Sequence, residues 1–290
     1  MAGTLQPRFA DRRRKKMFER VMIGNMLRRI LPVLLLAVTA GPAQWLHYPT
    51  AGIPRGSDGK PNLTAPAPKT RDLKTDLSGL WLPDNDATTK GTNGESLPKL
   101  FIDIARGLKP GELSMQPWAQ SLMTERARNF QADDPLTTCK PVGGPRLNSI
   151  PLPIRIVQTP GLILMLHEQE TTYRQIHTDG PKLPDDPYPS TLGYSTGRWE
   201  GGVLVVNTIG FQDQGWLDVV GHPYSDGMRV TERFRRRDFG HMDVQITIDD
   251  PKAYKNAFTV TQAMTFLADT DLLEYHCSEN ERDTRHFVLK

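Results

Sequence analysis

The chain is expected to fold as a mainly β protein, an antiparallel up-and-down β-barrel or sandwich of lipocalin-like outline with one packed α-helix. Three observations carry that expectation. From residue 150 onward the apolar period is two, as in half-buried strands. The cleanest runs follow one another with only short turns between them, a meander-like order. Each of those runs also has one apolar and one polar face, which suits an antiparallel sheet wetted on one side.

The 290 residues divide into three parts. Residues 1–40 read as a signal peptide with an extended leader. Arg28-Arg29 precede an apolar run over residues 30–40. That run falls short of the about 18–20 residues that span a bilayer, and Val38-Thr39-Ala40 offers small residues for cleavage. An uncleaved leader acting as a membrane anchor is the alternative. Residues 41–75 are rich in Pro, Gly, Lys and Thr and form an arm or linker, free or lying across the domain surface. Residues 76–290 form a single β-rich domain.

Within the domain, Leu80-Trp81 marks a first strand, and residues 84–96 have the composition of a loop. A helix is expected next, with Ser114 as cap and Pro117 in its first turn. Trp118, Leu122, Arg126 and Phe130 recur at four-residue spacing along it, beside Ala119 and Met123, as one stripe facing the domain. Residues 139–145 are a rigid Pro- and Gly-rich loop. Residues 161–176 read as one central strand, with Leu162, Leu164, Leu166 and Glu168 on one face and Ile163, Met165 and His167 on the other. Trp199-Glu200-Gly201-Gly202 turns into a strand over 203–208. Met228, Val230, Glu232 and Phe234 alternate with Arg229, Thr231, Arg233 and Arg235, and Asp238-Phe239-Gly240-His241 joins this strand to the next. Strands over 242–248, 258–266 and 272–277 complete the domain.

The net charge of +3 is small, and much of the positive excess lies before residue 30. Nucleic acid is therefore not an expected partner, since acids and bases are mixed over the folded part. Cys139 and Cys277 are the two cysteines. In an oxidising compartment they are expected to pair, contributing about 3–5 kcal/mol by chain entropy, with two buried free thiols as the alternative. No metal site is expected. His167-Glu168 begins like a zinc-protease motif, but Thr171 stands where the second His belongs. The Gly-x-Ser-x-Gly string at 193–197 lacks the strand-turn-helix context of a nucleophile elbow.

Residues 193–238 concentrate the remaining candidates. Glu232 lies on an apolar face, where a carboxylate either holds an ion pair, Arg174 being one candidate partner, or carries a raised pKa suited to acid-base work. Glu168 and Gln262 fall on apolar faces too, and all three would line the lumen of a closed barrel. His222 and Asp218 share a turn that suits a general base with an orienting acid, or ordinary turn chemistry. Trp216 beside them is a stacking surface for a ligand or a plug that fixes the loop.

Ile53-Pro54-Arg55, Asp58-Gly59-Lys60-Pro61-Asn62-Leu63, Asp76-Leu77-Ser78-Gly79-Leu80-Trp81, Trp199-Glu200-Gly201, Glu232-Arg233-Phe234 and residues 274–280 together resemble a large group of exported, mostly uncharacterised bacterial proteins. The resemblance implies export and a β-rich domain and supplies no catalytic residues. Where that group commonly has Asp after Trp-Glu-Gly, this chain has Gly202, which argues against an acid acting at that turn. The expected partner is a small, largely apolar or aromatic molecule. The first function expected is a hydrolase or lyase, without a cofactor, using Glu232 and His222 as acid and base with Asp218 orienting. The alternatives are a periplasmic or secreted carrier whose inward Glu and Gln orient ligand, and an envelope structural protein that engages a partner through its arm.

Overall fold

Nine strands close into a barrel in the computed structural model of the chain, which describes residues 49–90 and 94–277. These residues belong to one compact unit; the expected leader over 1–40 and the tail beyond 277 lie outside them. In chain order come β1 (Gly79–Pro83), β2 (Asp86–Lys90), β3 (Ser96–Leu97), α1 (Lys99–Ile102) and α2 (Pro117–Arg128). Two 3₁₀ turns, Pro135–Thr138 and Gly144–Ser149, lead into β4 (Ile154–Thr159), β5 (Leu162–His167) and β6 (Tyr173–His177). After a long connection come β7 (Tyr194–Glu200), β8 (Val203–Ile209), the short β9 (Gly215–Trp216) and β10 (Pro223–Tyr224), then β11 (Arg229–Arg236), β12 (His241–Asp249) and β13 (Phe258–Phe266). Around the barrel the order is β1-β13-β12-β11-β8-β7-β6-β5-β4, and β4 returns to β1.

The mainly β class and the closed barrel are as the alternation predicts, and the turns at Gly201-Gly202 and at 237–240 join antiparallel neighbours. Four details differ. β6 and β7 run parallel, paired only at Ile176↔Ser195 and His177↔Thr196, so the barrel is not wholly up-and-down. The expected strand over 161–176 breaks at Glu170 and Thr171, whose φ values of 49° and 48° turn the chain between β5 and β6. The expected loop at 84–96 contains the β2–β3 ribbon. Finally, residues 272–277 form no strand, although Tyr275 bridges Gln169.

α2 also differs from its expected stripe. Its N-cap is Gln116, without a side-chain cap bond, while the Ser114 hydroxyl donates to Gly111 O instead. Ala119 and Arg126 are its buried residues, whereas Trp118 is 37% and Phe130 88% exposed. The buried positions are thus seven residues apart, two helical turns on one face. The arm, in turn, crosses the surface of the domain. Arg55 forms an ion pair with Asp269, Phe239 N donates to Ala65 O and Gly240 N to Leu63 O.

Side chains fill the barrel. Register places Trp81 opposite Ile154 and Phe266, and Glu232 opposite Val206 and Ile246, all buried. One end is sealed by Arg236, whose guanidinium stacks on Trp81, Phe239 and Phe266 at 4.8, 4.9 and 5.7 Å and donates to Asp76 O. The other seal is the turn Gly144–Ser149, in which Pro145 through Ser149 are all buried. Cys139 and Cys277 form a disulfide, with Cα atoms 5.3 Å apart.

Candidate functional site

Polar side chains meet inside the barrel beside the β6–β7 pair. Alternation turns Arg174 of β6 and Ser195 of β7 inward, next to Thr208 of β8 and Glu232 of β11. The Arg174 guanidinium takes both Glu232 oxygens, one at 3.1 Å, and its Nε and Nη2 donate to Ser195 Oγ at 3.1 and 3.0 Å. Nη2 also reaches Thr208 Oγ1 at 2.9 Å. From the sealing turn, Asn148 Nδ2 donates to Glu232 Oε1. A buried charge needs a partner and saturated hydrogen bonds, and here Glu232 has both. Ser195 accepts from a cation, and its side-chain hydrogen-bond partners among the described residues, Arg174 and Thr208, include no base, an arrangement that does not activate a nucleophile.

His167 of β5 joins this interior with its Nε2 buried and unpartnered among the described residues. Burial, and then the charge of Arg174, push its pKa down to about 3. It is therefore a neutral imidazole at physiological pH.

The barrel wall opens where β6 and β7 diverge. Four prolines in the connection, at 181, 184, 187 and 189, disfavour continued pairing. Gly193, at φ 66°, brings the chain in so closely that a Cβ there would stand 2.6 Å from Ile209 O. The result is a cleft of about 680 Å³. Its mostly apolar walls include Pro141, Tyr173, Leu183, Leu192 and Tyr194, and Arg174 and Ser195 also line it. Tyr173 and Tyr194 are 60% and 40% exposed.

A second polar cluster lies in the loops around β9 and β10. Asp218 is wholly buried and accepts the N–H groups of Ile104, Gly221 and His222 at 2.7, 2.8 and 3.0 Å. His222 Nδ1 meets its Oδ2 at 2.6 Å, and Asp103 Oδ1 stands 3.9 Å from the same nitrogen. Burial pulls the His222 pKa down, but the hydrogen bond and charge of Asp218, with the charge of Asp103, outweigh it and the net shift is upward. Trp216 is covered by Arg126, whose guanidinium lies 4.1 Å from the ring centre and donates to the carbonyls of Gln214, Gly215 and Gly221. It is a plug, and its face is not open to a ligand.

Of the residues expected to act together, the structure joins Glu232 with Arg174, and His222 with Asp218, in two networks that share no residue. Glu168 lies past the end of β5, on the face opposite His167, and accepts from Leu273 N at 3.1 Å. It therefore does not line a lumen; burial raises its pKa, partly offset by that N–H. Gln262 does point inward, and its amide donates to Ala263 O at 2.7 Å, away from the Glu232 network. Asn148 and Thr208 escaped sequence reasoning, and Ser195 was weighed there only as the serine of the string at 193–197, though the alternation of β7 and β8 carried a signal for both Ser195 and Thr208. Asp103 and the buried Arg146–Asp134 pair at 2.7 Å gave none.

Asp103, Asp218 and His222 each place one ligand atom within 4.8 Å of the others, close enough to meet one cation. Both Asp218 oxygens accept hydrogen bonds, and His222 Nδ1 is bonded to Oδ2, so a cation bound through Nδ1 would have to displace that bond. Among the described residues, no helix is long and apolar enough to cross a membrane. The disulfide fits an oxidising compartment. No protein-family model, curated protein or solved structure matches the chain, and the arrangement of these residues alone carries the functional reading.

Proposed function

We propose that the protein is a periplasmic or secreted binding protein that holds a small, largely apolar or aromatic molecule in the cleft between β6 and β7, outside the packed lumen. The cleft itself carries the reading: a concave, mostly apolar site of ligand size, with tyrosines on its walls and buried polar groups at its base. Arg174 and Ser195 orient a polar group of the ligand there, while Glu232 neutralises Arg174. The leader over 1–40 and the disulfide support export. Glu232 and His222 are both engaged with partners, which favours binding over turnover.

The test is a thermal-shift screen with small aromatic compounds, followed by calorimetry on Tyr173→Ala and Tyr194→Ala. Binding at least tenfold weaker in either variant, with unchanged circular dichroism, is expected. A screen without a stabilising compound, or affinity indifferent to both tyrosines, sinks the reading.

The 2.6 Å contact between His222 and Asp218, beside Asp103, favours a second reading, acid-base chemistry at the loop cluster. In that case, hydrolysis of activated esters would depend on His222, and His222→Gln would abolish it while ligand affinity in the cleft stayed constant.

A further inference from the structure

A smaller pocket of about 300 Å³ lies at the end of the barrel where β4 turns into β5, where β6 ends, and below the arm. Its wall includes Ile163, an inward residue of β5, and Trp199, a half-buried residue of β7 packed against the core. Gln158, Thr159 and Thr178 add polar edges. The fourth side is a turn of the arm that supplies Thr70, Arg71, Asp72 and Lys74.

That turn is fastened in place. Lys69 bridges Thr75, Thr70 N donates to Lys74 O at 2.9 Å, and Leu73 N donates to Thr70 O at 3.0 Å. Gln158 ties the following residues to β4, accepting Leu77 N at 2.9 Å and donating to Thr75 O at 3.3 Å. The charges of the turn are unequally spent. Asp72 accepts the Thr70 hydroxyl at 2.6 Å and pairs with Lys74 at 2.9 Å. Arg71 has no hydrogen bond or ion pair among the described residues, yet it lines the pocket. Asp179 packs near Gly161 without lining it.

An uncompensated guanidinium above a Trp- and Ile-lined pocket has a definite complement. A planar apolar body fills the space between Ile163 and Trp199, and an oxyanion, carboxylate or sulfonate, meets the donor fork of Arg71. The volume limits the body to one or two fused rings, at the small end of known ligand sites. We propose that this pocket is a second binding site, separate from the β6–β7 cleft, for a small aromatic anion held by Arg71 and Trp199 under the turn of the arm.

The test uses calorimetry of the full chain with 2-naphthoate, 2-naphthalenesulfonate and the neutral 2-naphthamide at low salt. Both anions are expected to bind at least tenfold more tightly than the amide, and Arg71→Ala, an exposed change that leaves the core intact, to remove that difference. Trp199→Phe should weaken all three, while Tyr194→Ala in the cleft leaves all three unchanged. Equal binding of anion and amide overturns the proposal, as does an Arg71→Ala protein that retains the preference, or no binding at all. Loss of binding in Tyr194→Ala alone would assign the probes to the cleft, so the two sites fail independently.

Discussion

The barrel interior brings together a buried histidine, acid and arginine, His167, Glu232 and Arg174, and the loop cluster around β9 and β10 does the same with His222, Asp218 and Arg126, yet the two distribute charge in opposite ways. Inside the barrel the acid, Glu232, belongs to Arg174, and His167 is left beside a cation with no acceptor or donor for its Nε2 among the described residues. In the loops the acid, Asp218, belongs to His222, and Arg126 satisfies itself on three carbonyls and the face of Trp216. Desolvation lowers the pKa of both imidazoles; the partner decides the outcome, down to about 3 for His167 and upward for His222. Burial sets the cost of a charge, and the geometry of its neighbours sets who carries it.

The contrast is broken most severely at Glu232. Replacing it by Ala leaves Arg174 charged and unpaired in the core, and a loss of about 3–5 kcal/mol in urea denaturation is expected. The double change Arg174→Met/Glu232→Leu should recover most of that loss; a double variant no more stable than Glu232→Ala would show that the network has a role beyond mutual neutralisation. Asp218→Ala frees three backbone N–H groups and the imidazole. The expected loss is about 2–4 kcal/mol, accompanied by a fall in the His222 pKa that NMR titration would register. An unchanged His222 titration would contradict the account of its environment.

The histidines themselves predict opposing pH slopes. The folded pKa of His222 is raised, so its contribution to stability is full below the unfolded value of 6.5 and is lost as pH rises through the folded one. His167 is depressed, so its contribution is present above 6.5 and is lost as pH falls from there toward 3. His222→Gln should remove the first slope and His167→Leu the second, in denaturation curves collected across pH. The smallest effect expected is that of His167→Leu at pH 7, within about 1 kcal/mol of the parent, because an unpartnered imidazole is exchanged for an apolar group.

How far the sequence discloses these features follows from how local each one is. Glu232 faces inward because β11 alternates without a break, and the same rule turns Arg174 inward on β6, so their pairing was readable as one candidate among others. The loops joining β7 to β8 and β11 to β12 are equally local and are where the turn residues put them. The cleft was not readable, because it depends on β6 and β7 lying side by side in parallel across a proline-rich connection of 16 residues, numbers 178–193. Glu168, expected to line a lumen with Glu232 and Gln262, and His222, expected to act with Glu232, lie apart from the Glu232 network for a similar reason. Alternation tells which way a side chain points but not which part of the molecule stands opposite. Asp103 enters its cluster only because the end of α1 packs under the loop, where Val219 N and Val220 N donate to Phe101 O and Ile102 O.

β1, the first strand of the barrel, lies between β4 and β13, the last. Until β13 has been made and delivered, the outer edge of Gly79–Pro83 has nothing to pair with. An exposed edge is a template for association with other chains, and a pairing so distant in sequence forms late. The Cys139–Cys277 bond is subject to the same schedule, since Cys277 follows every strand among the described residues. As it folds, then, the chain passes through an interval in which nearly all of its barrel exists with one seam open and its covalent fastening unmade. In that interval the yield of folded protein is decided by competition between the arrival of the last strand and the capture of the first by a neighbour.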